Sequence, residues 1–308
     1  MTLYKLLSTT LILLLSPIFN NAQEKGFKEI QLTHTGSDNR YASYNKSGTQ
    51  IVFESNRDGH WQIYIMDIDG NNQVRLTNST SNDRRPSWHP FKNKIIFESD
   101  RTGTNEIYTC NLENKSVKKM PISLSYNKSF AQFAPNGAEV VFICHDKNNE
   151  TGIYMCSANG KRLKKIIDNQ HINLQPNLSP RGDNLIYFSN KNTQKKNNVI
   201  YSYNIITKEQ NRLTYFKDHS EFPDWTNIRS SRIVYSAKED DAKTSDIYIM
   251  RNDGTNKIQI TYNDDEDILP RWSPNNINLL ITGFRNGNYQ ICKVLLKEPL
   301  SPDQKPLD

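Results

Sequence analysis

The stretch IVFESNRDGHWQIYIMDIDG, residues 51–70, sets out a short apolar run, a polar turn closed by glycine, and a second run opening on Ile-Tyr. It returns at residues 95–114 as IIFESDRTGTNEIYTCNLEN. The runs are rich in β-branched and aromatic side chains, which suit a pleated surface better than a helix. Asp69-Gly70 then supplies the positive φ that a tight hairpin needs. The unit is therefore two short strands and the turn into a third.

The same order of events occurs six times. The apolar strand reads VVFIC from Val140, LIYFS from Leu185, IVYSA from Ile233 and LLITG from Leu279. The Ile-Tyr strand reads IYMC from Ile153, IYSY from Ile200, IYIM from Ile247 and, altered, ICKV from Ile291. Ahead of each unit lies a Trp-type phrase. It is SWHPFK from Ser87, DWTNIR from Asp224 and RWSPNN from Arg271, and in weaker copies SYNKSG, QFAPNG and NLSPRG from Ser43, Gln132 and Asn177. After each comes a strand ending in Leu-Thr or its substitute, at Leu32, Leu76, Met120, Ile166, Leu213 and Ile260, spaced 44–47 residues apart. Four short strands in such a period are the mark of a propeller blade, whereas helical solenoids need longer apolar-periodic segments that are absent here.

The two ends of the repeat fit together. Residues 28–33 carry a Leu-Thr strand with no blade of its own, and the last repeat stops at Leu296 without a fourth strand. The sequence thus predicts an all-β, six-bladed propeller of four-stranded antiparallel blades over residues 28–296. The N-terminal strand would complete the last blade and remove the open edge.

The phrases from Ser55 and Ser99, with their WSP-type partners, resemble TolB-type repeats, also called WD40-like or PD40 repeats. The resemblance spans residues 28–296 and is weakest in the third and fourth repeats, where Phe133 and Leu178 replace the Trp. TolB itself carries an N-terminal α/β domain for which this chain has no room, so the resemblance implies a bare propeller. Relatives of that kind serve as periplasmic protein-binding scaffolds, as propeller portions of serine oligopeptidases, or as oligogalacturonate lyases.

Residues 1–23 read as a signal peptide: Lys5, an apolar run from Leu6 to Leu15, a break at Ser16-Pro17 and a small residue at Ala22. Export to the periplasm or beyond is expected, with no transmembrane segment in the mature chain. The tail 297–308, with three prolines and no apolar period, is expected to be disordered. The net charge of +6 is spread along the chain and accompanies no nucleic-acid-reading motif, so no nucleic-acid partner is expected. An oxidising compartment permits disulfides. Cys110 and Cys292 read as buried apolar residues, and a bridge between Cys144 and Cys156 stays open.

Strand order places the start of each innermost strand at one mouth of the central channel. One position gives Asn39, Asp83, Lys128, Asn173, Ser220 and Asp267; the next gives Arg40, Arg84, Ser129, Leu174, Glu221 and Ile268. With Tyr41, Arg85, Phe130, Gln175 and Phe222 they make a mixed ring of arginines and aromatics, the content that protein-binding patches favour. Singly, polar residues repeated in every blade tend to satisfy neighbouring loops, and Asp83 and Asp267 read as loop anchors. Arg57 and Arg101, in the turns after the second strands, read as packing across to the next blade.

Catalysis has little support. There is no G-x-S-x-G and no phosphate-binding glycine loop, and no cofactor is expected. A metal-dependent polysaccharide lyase is the alternative reading. It requires His171 and His219, with a neighbouring carboxylate or Gln175, to converge on one ion. The leading expectation is a non-enzymatic scaffold for a protein or peptide partner in the cell envelope.

Overall fold

A computed structural model describes residues 27–168, 170–191, 197–215, 219–227 and 232–296. The expected signal peptide and C-terminal tail lie outside the described residues. From the channel outward, blade 1 comprises Asn39–Tyr44, Gln50–Ser55, Gln62–Asp67 and Val74–Arg75; blade 2 comprises Asp83–Trp88, Lys94–Ser99, Glu106–Asn111 and Val117–Lys119. Blade 3 is Lys128–Phe133, Glu139–His145, Thr151–Ser157 and Lys164–Ile167, and blade 4 is Asn173–Leu178, Asn184–Ser189, Val199–Asn204 and Gln210–Arg212. Blade 5 is His219–Trp225, Arg232–Lys238, Asp246–Arg251 and Ile258–Gln259, and blade 6 is Asp267–Trp272, Asn278–Arg285, Asn288–Leu296 and finally Phe27–Gln31. Six four-stranded antiparallel blades, without a helix among the described residues, make this an all-β propeller.

The second strands are apolar without alternation because both faces of every blade are covered. Val52 and Ile63 pack with Ile95, Phe97 and Tyr108 of blade 2. Ile51, Phe53, Tyr64 and Met66, on the other face, pack with Leu280 and Ile291 of blade 6. The recurrent Tyr of the third strand lies directly opposite the aromatic of the second, as in Phe53–Tyr64 and Tyr235–Tyr248. Those rings stack with centroids 5.7 and 5.8 Å apart.

The Leu-Thr ending has an equally local cause. The outer strand peels away at the Thr, and the amide of the Ile that opens each Ile-Tyr phrase would lose its partner. The Thr hydroxyl takes that place: Ile63, Ile200, Ile247 and Ile291 donate to Thr77, Thr214, Thr261 and Thr33 at 2.9–3.0 Å. The last of these joins the two ends of the chain.

Closure is by the N-terminal strand. Phe27–Gln31 pairs antiparallel with the last strand, Ile30 opposite Lys293. Arg285 then ties the added strand inward. Its guanidinium donates to Glu29 at 2.9–3.0 Å and to the fully buried Asp267 at 2.7 Å.

The four cysteines are free thiols, all buried. Cys144 faces Gly152 and Cys156 faces Val140 on the paired strands, four rungs or about 13 Å apart, so the bridge left open above does not form. The turn arginines pack differently from the expectation. Arg57 reaches back to Asn39 (2.8 Å) and Arg101 to both oxygens of Asp83 (2.7 and 2.8 Å), each within its own blade. Each lies over the Tyr of its own third strand, 4.5 and 4.7 Å from the ring centre.

Candidate binding mouth of the channel

In every innermost strand one residue, the third or, in blade 5, the fourth, leaves the β region. Tyr41, Arg85, Phe130, Gln175, Phe222 and Leu269 all have φ between 48° and 56°. The pairing with the second strand slips there in all six blades, between Arg40 and Ser43 and at the equivalent places. Each is a bulge holding a non-glycine residue in the left-handed region, at a cost of about 1–2 kcal/mol apiece. The amide freed by the bulge needs a new acceptor. In blades 2 and 3 a buried glutamate of the preceding blade supplies it. Arg85 N donates to Glu54 at 2.7 Å, and Phe130 N donates to Glu98 at 3.0 Å.

Around those two carboxylates the arginines and aromatics assemble. Arg40 donates to Glu54 at 3.1 Å. Arg85 bonds to Glu98, which also accepts from Asn105 at 3.0 Å. Complete burial pushes the Glu54 carboxyl up, against the pull of Arg40 and Arg85. The Arg85 guanidinium lies 4.3 Å from the Phe130 ring centre and 5.2 Å from that of Tyr41. Tyr41 and Phe130, from blades 1 and 3, themselves meet edge-on at 6.3 Å. Trp61, from the turn after the second strand of blade 1, has the Arg40 guanidinium 4.1 Å and the Arg84 guanidinium 5.5 Å from its ring centre.

The first position of the expected ring turns inward. Asn39, Asp83, Lys128, Asn173, Ser220 and Asp267 are buried. Arg57 and Arg101 engage Asn39 and Asp83, Glu106 pairs with Lys128, and Arg285 pairs with Asp267. Asn173 bonds to the Thr151 backbone carbonyl at 2.7 Å. Arg40, Arg84 and Glu221 stay half-exposed at the second position, Tyr41, Arg85, Phe130 and Phe222 at the third. The carboxylates Glu54 and Glu98 are absent from the sequence reading. The signal was one charged residue inside each of two otherwise apolar strands, IVFES and IIFES.

Two overlapping matches to the TolB beta propeller domain model, PD40, cover residues 43–196 and 147–299. The chain belongs to this PD40 family. A TolB homolog from Chlorobium luteolum is 26% identical over 160 residues, half of this chain and 34% of that protein. TolB from Acinetobacter baumannii superposes with a TM-score of 0.68 at 20% identity, over 79% of this chain and 59% of that one. A putative TolB from Agrobacterium tumefaciens gives 0.67 at 12% identity, over 88% and 97%. The chain thus spans about a third of the curated relative's length, and at these identities the solved structures speak to the fold alone.

Elsewhere on this PD40 propeller, His219 and Glu221 meet at 2.8 Å. His219 Nδ1 accepts from the Asn198 amide at 3.2 Å, so its Nε2 carries the proton given to Glu221. The bond to Glu221 holds the imidazole above its ordinary range, partly offset by burial. His171 contributes its backbone carbonyl to Thr151 and Asn173. No group of three or more metal-ligating side chains occurs among the described residues.

Gln175 is the odd member of the left-handed ring. It is 1% exposed, and neither amide atom has a hydrogen-bond partner. Leu269 occupies the same position in blade 6. Gln175→Leu keeps the volume and removes two buried, unpaired polar atoms. It is expected to stabilise the fold by about 1–2 kcal/mol, read as a rise in the urea midpoint at unchanged slope.

The opposite mouth is a funnel of about 380 Å³ whose lining includes Tyr44, Trp88, Phe133, Trp225 and Trp272. The repeated Trp has a structural task there. Trp88 Nε1 donates to the Ser43 carbonyl at 3.0 Å and Trp225 Nε1 to the Asn177 carbonyl at 3.2 Å, each on the preceding blade.

Proposed function

We propose that this propeller is an exported, non-enzymatic scaffold of the cell envelope that binds a protein partner at the mouth carrying Arg40, Arg84, Arg85, Tyr41 and Phe130. One observation supports the reading above the rest. Arg40, Arg85 and the Phe130 amide there are held by buried carboxylates, and Tyr41, Arg85 and Phe130 sit in strained bulges on a closed ring, so most of this surface is presented with little freedom to lose on binding. Arginine and aromatic anchors of that kind supply most of the energy in protein interfaces. Glu221 and Phe222 extend the same surface around the channel.

The test is capture of partners from an envelope fraction by the tagged chain. Arg84→Glu is expected to weaken capture at least about tenfold without shifting the unfolding midpoint. Phe91→Ser, an exposed change at the opposite mouth, is expected to leave capture intact. The reverse pattern would place the partner on the other face.

The lyase reading draws on the His219–Glu221 pair. It calls for a third ligand beside them, and manganese or zinc retained through gel filtration is the result that would favour it.

A further inference from the structure

Most arginines at this side of the mouth have an acceptor within the fold, and Arg57 is engaged by Asn39, Gln73 and Ser55. Arg40 pairs with Glu54, Arg85 with Glu98 and Arg101 with Asp83. Arg84 has no hydrogen bond and no ion pair with any described residue, and its Nε is buried without a partner. Arg84 acts electrostatically on Asp100, whose oxygens are already engaged by the Asn82 backbone amide and side-chain amide, both at 2.8 Å. The Arg84 guanidinium instead lies 5.5 Å from the Trp61 ring centre, beside Arg40 at 4.1 Å from the same ring. A half-buried guanidinium without an acceptor is an incomplete arrangement, since its planar donor fork is matched by a carboxylate.

We infer that Arg84, set beside Trp61, is a subsite for the carboxylate of an aspartate or glutamate side chain on an acidic polypeptide segment that enters the channel mouth. This rests on the reading that the mouth binds a protein. Acidic saccharides carry the same group, but in blades 1 to 3, around Arg84, the aromatic faces on which a sugar ring would stack already have guanidinium groups over them. Arg40 covers Trp61, and Arg85 covers Phe130. What remains open is charge and hydrogen bonding, which an extended acidic peptide satisfies without a stacking platform. The acidic loops at Asp240-Asp241 and Asp264-Asp265, exposed at the same mouth in blades 5 and 6, repel a second acidic group and so direct the peptide toward blades 1 and 2.

The probe is a fluorescently labelled octaglutamate peptide, with octaglutamine and oligogalacturonate as the comparison arms, titrated against the full chain by anisotropy. Octaglutamate is expected to bind at least about tenfold more tightly than octaglutamine. Arg84→Gln should cost about tenfold in that affinity and lower its salt dependence by one ion, while Arg84→Lys, which keeps the charge but not the fork, should fall between. Lys161→Gln removes the same charge from an exposed turn at the other end of the blades and should leave binding within about twofold. Thermal midpoints of all variants establish that each is folded. Equal losses for Arg84→Gln and Lys161→Gln, or tighter Arg84-dependent binding of oligogalacturonate, would overturn the inference. Envelope capture that survives Arg84→Gln but disappears with Tyr41→Ala would overturn it too, and would leave the mouth as the protein-binding face.

Discussion

Replacing Arg285 with alanine is expected to destabilise the folded chain by about 3 kcal/mol near neutral pH, and by clearly less near pH 5. Arg285 joins the closing strand, through Glu29, to the innermost strand of its blade, through Asp267. Without it Asp267, fully buried, keeps Asn263 at 2.8 Å as its one side-chain donor among the described residues. Burial already raises the Asp267 carboxyl to about 6, even though Arg285 pulls it down. Its pKa in the unfolded chain is about 3.9. A carboxyl raised on folding binds its proton more tightly in the folded state, so its contribution to stability is fully present below the unfolded value. That contribution is lost as the pH rises through about 6. In the variant the value rises further, and acidification lets the group become neutral rather than remain an unpaired buried charge. Urea midpoints of wild type and variant at the two pH values test this. An equal loss at both would mean that Arg285 acts by packing its aliphatic stem and not by pairing a charge.

Glu98→Ala is expected to cost a comparable amount, about 3 kcal/mol, and to disorganise the mouth. Glu98, 2% exposed, is the acceptor for three donors from three places: the Arg85 guanidinium, the Asn105 side chain and the Phe130 backbone amide. Its loss strands the Phe130 amide inside a bulge whose φ of 54° is already unfavourable. It also frees Arg85 from its place between Tyr41 and Phe130. Glu98→Gln keeps one acceptor oxygen and the shape, and should lose about half as much. Partner capture should fall in the order wild type, Gln, Ala. A Glu98→Ala protein that captures as well as wild type would show that the Arg85 cluster is not part of the binding surface.

Much of this was legible in the residues. The Leu-Thr landmarks predict four strands per repeat, and each Thr proved to be the acceptor for the Ile amide opposite. The Ile-Tyr phrase and the aromatic of the second strand proved to be cross-strand stacks. Both devices operate within one blade, between residues whose separation in the chain repeats, and that is why they leave a period. Asp83 and Asp267 as loop anchors belong to the same class, since Arg101 and Arg285 lie 18 residues downstream in both cases.

The mouth was legible only as a composition. Strand order singled out Arg40, Arg84, Arg85, Tyr41 and Phe130, yet it also placed Asn39, Lys128 and Ser220 beside them although they are buried. Strand alternation forecasts which side of a sheet a residue faces, and the single bulge in each innermost strand changes that alternation. The turn arginines were assigned to the wrong neighbour because a long side chain can reach either its own blade or the next.

The order of residues along the chain by itself determined the number of blades, the strands in each and the means of closure, because those follow from local propensity repeated at a fixed interval. Which arginine has a carboxylate and which has none was decided only in three dimensions. Glu54 and Glu98 serve amides on the following blade, some thirty residues away, and a pairing between blades depends on how adjacent sheets twist against each other.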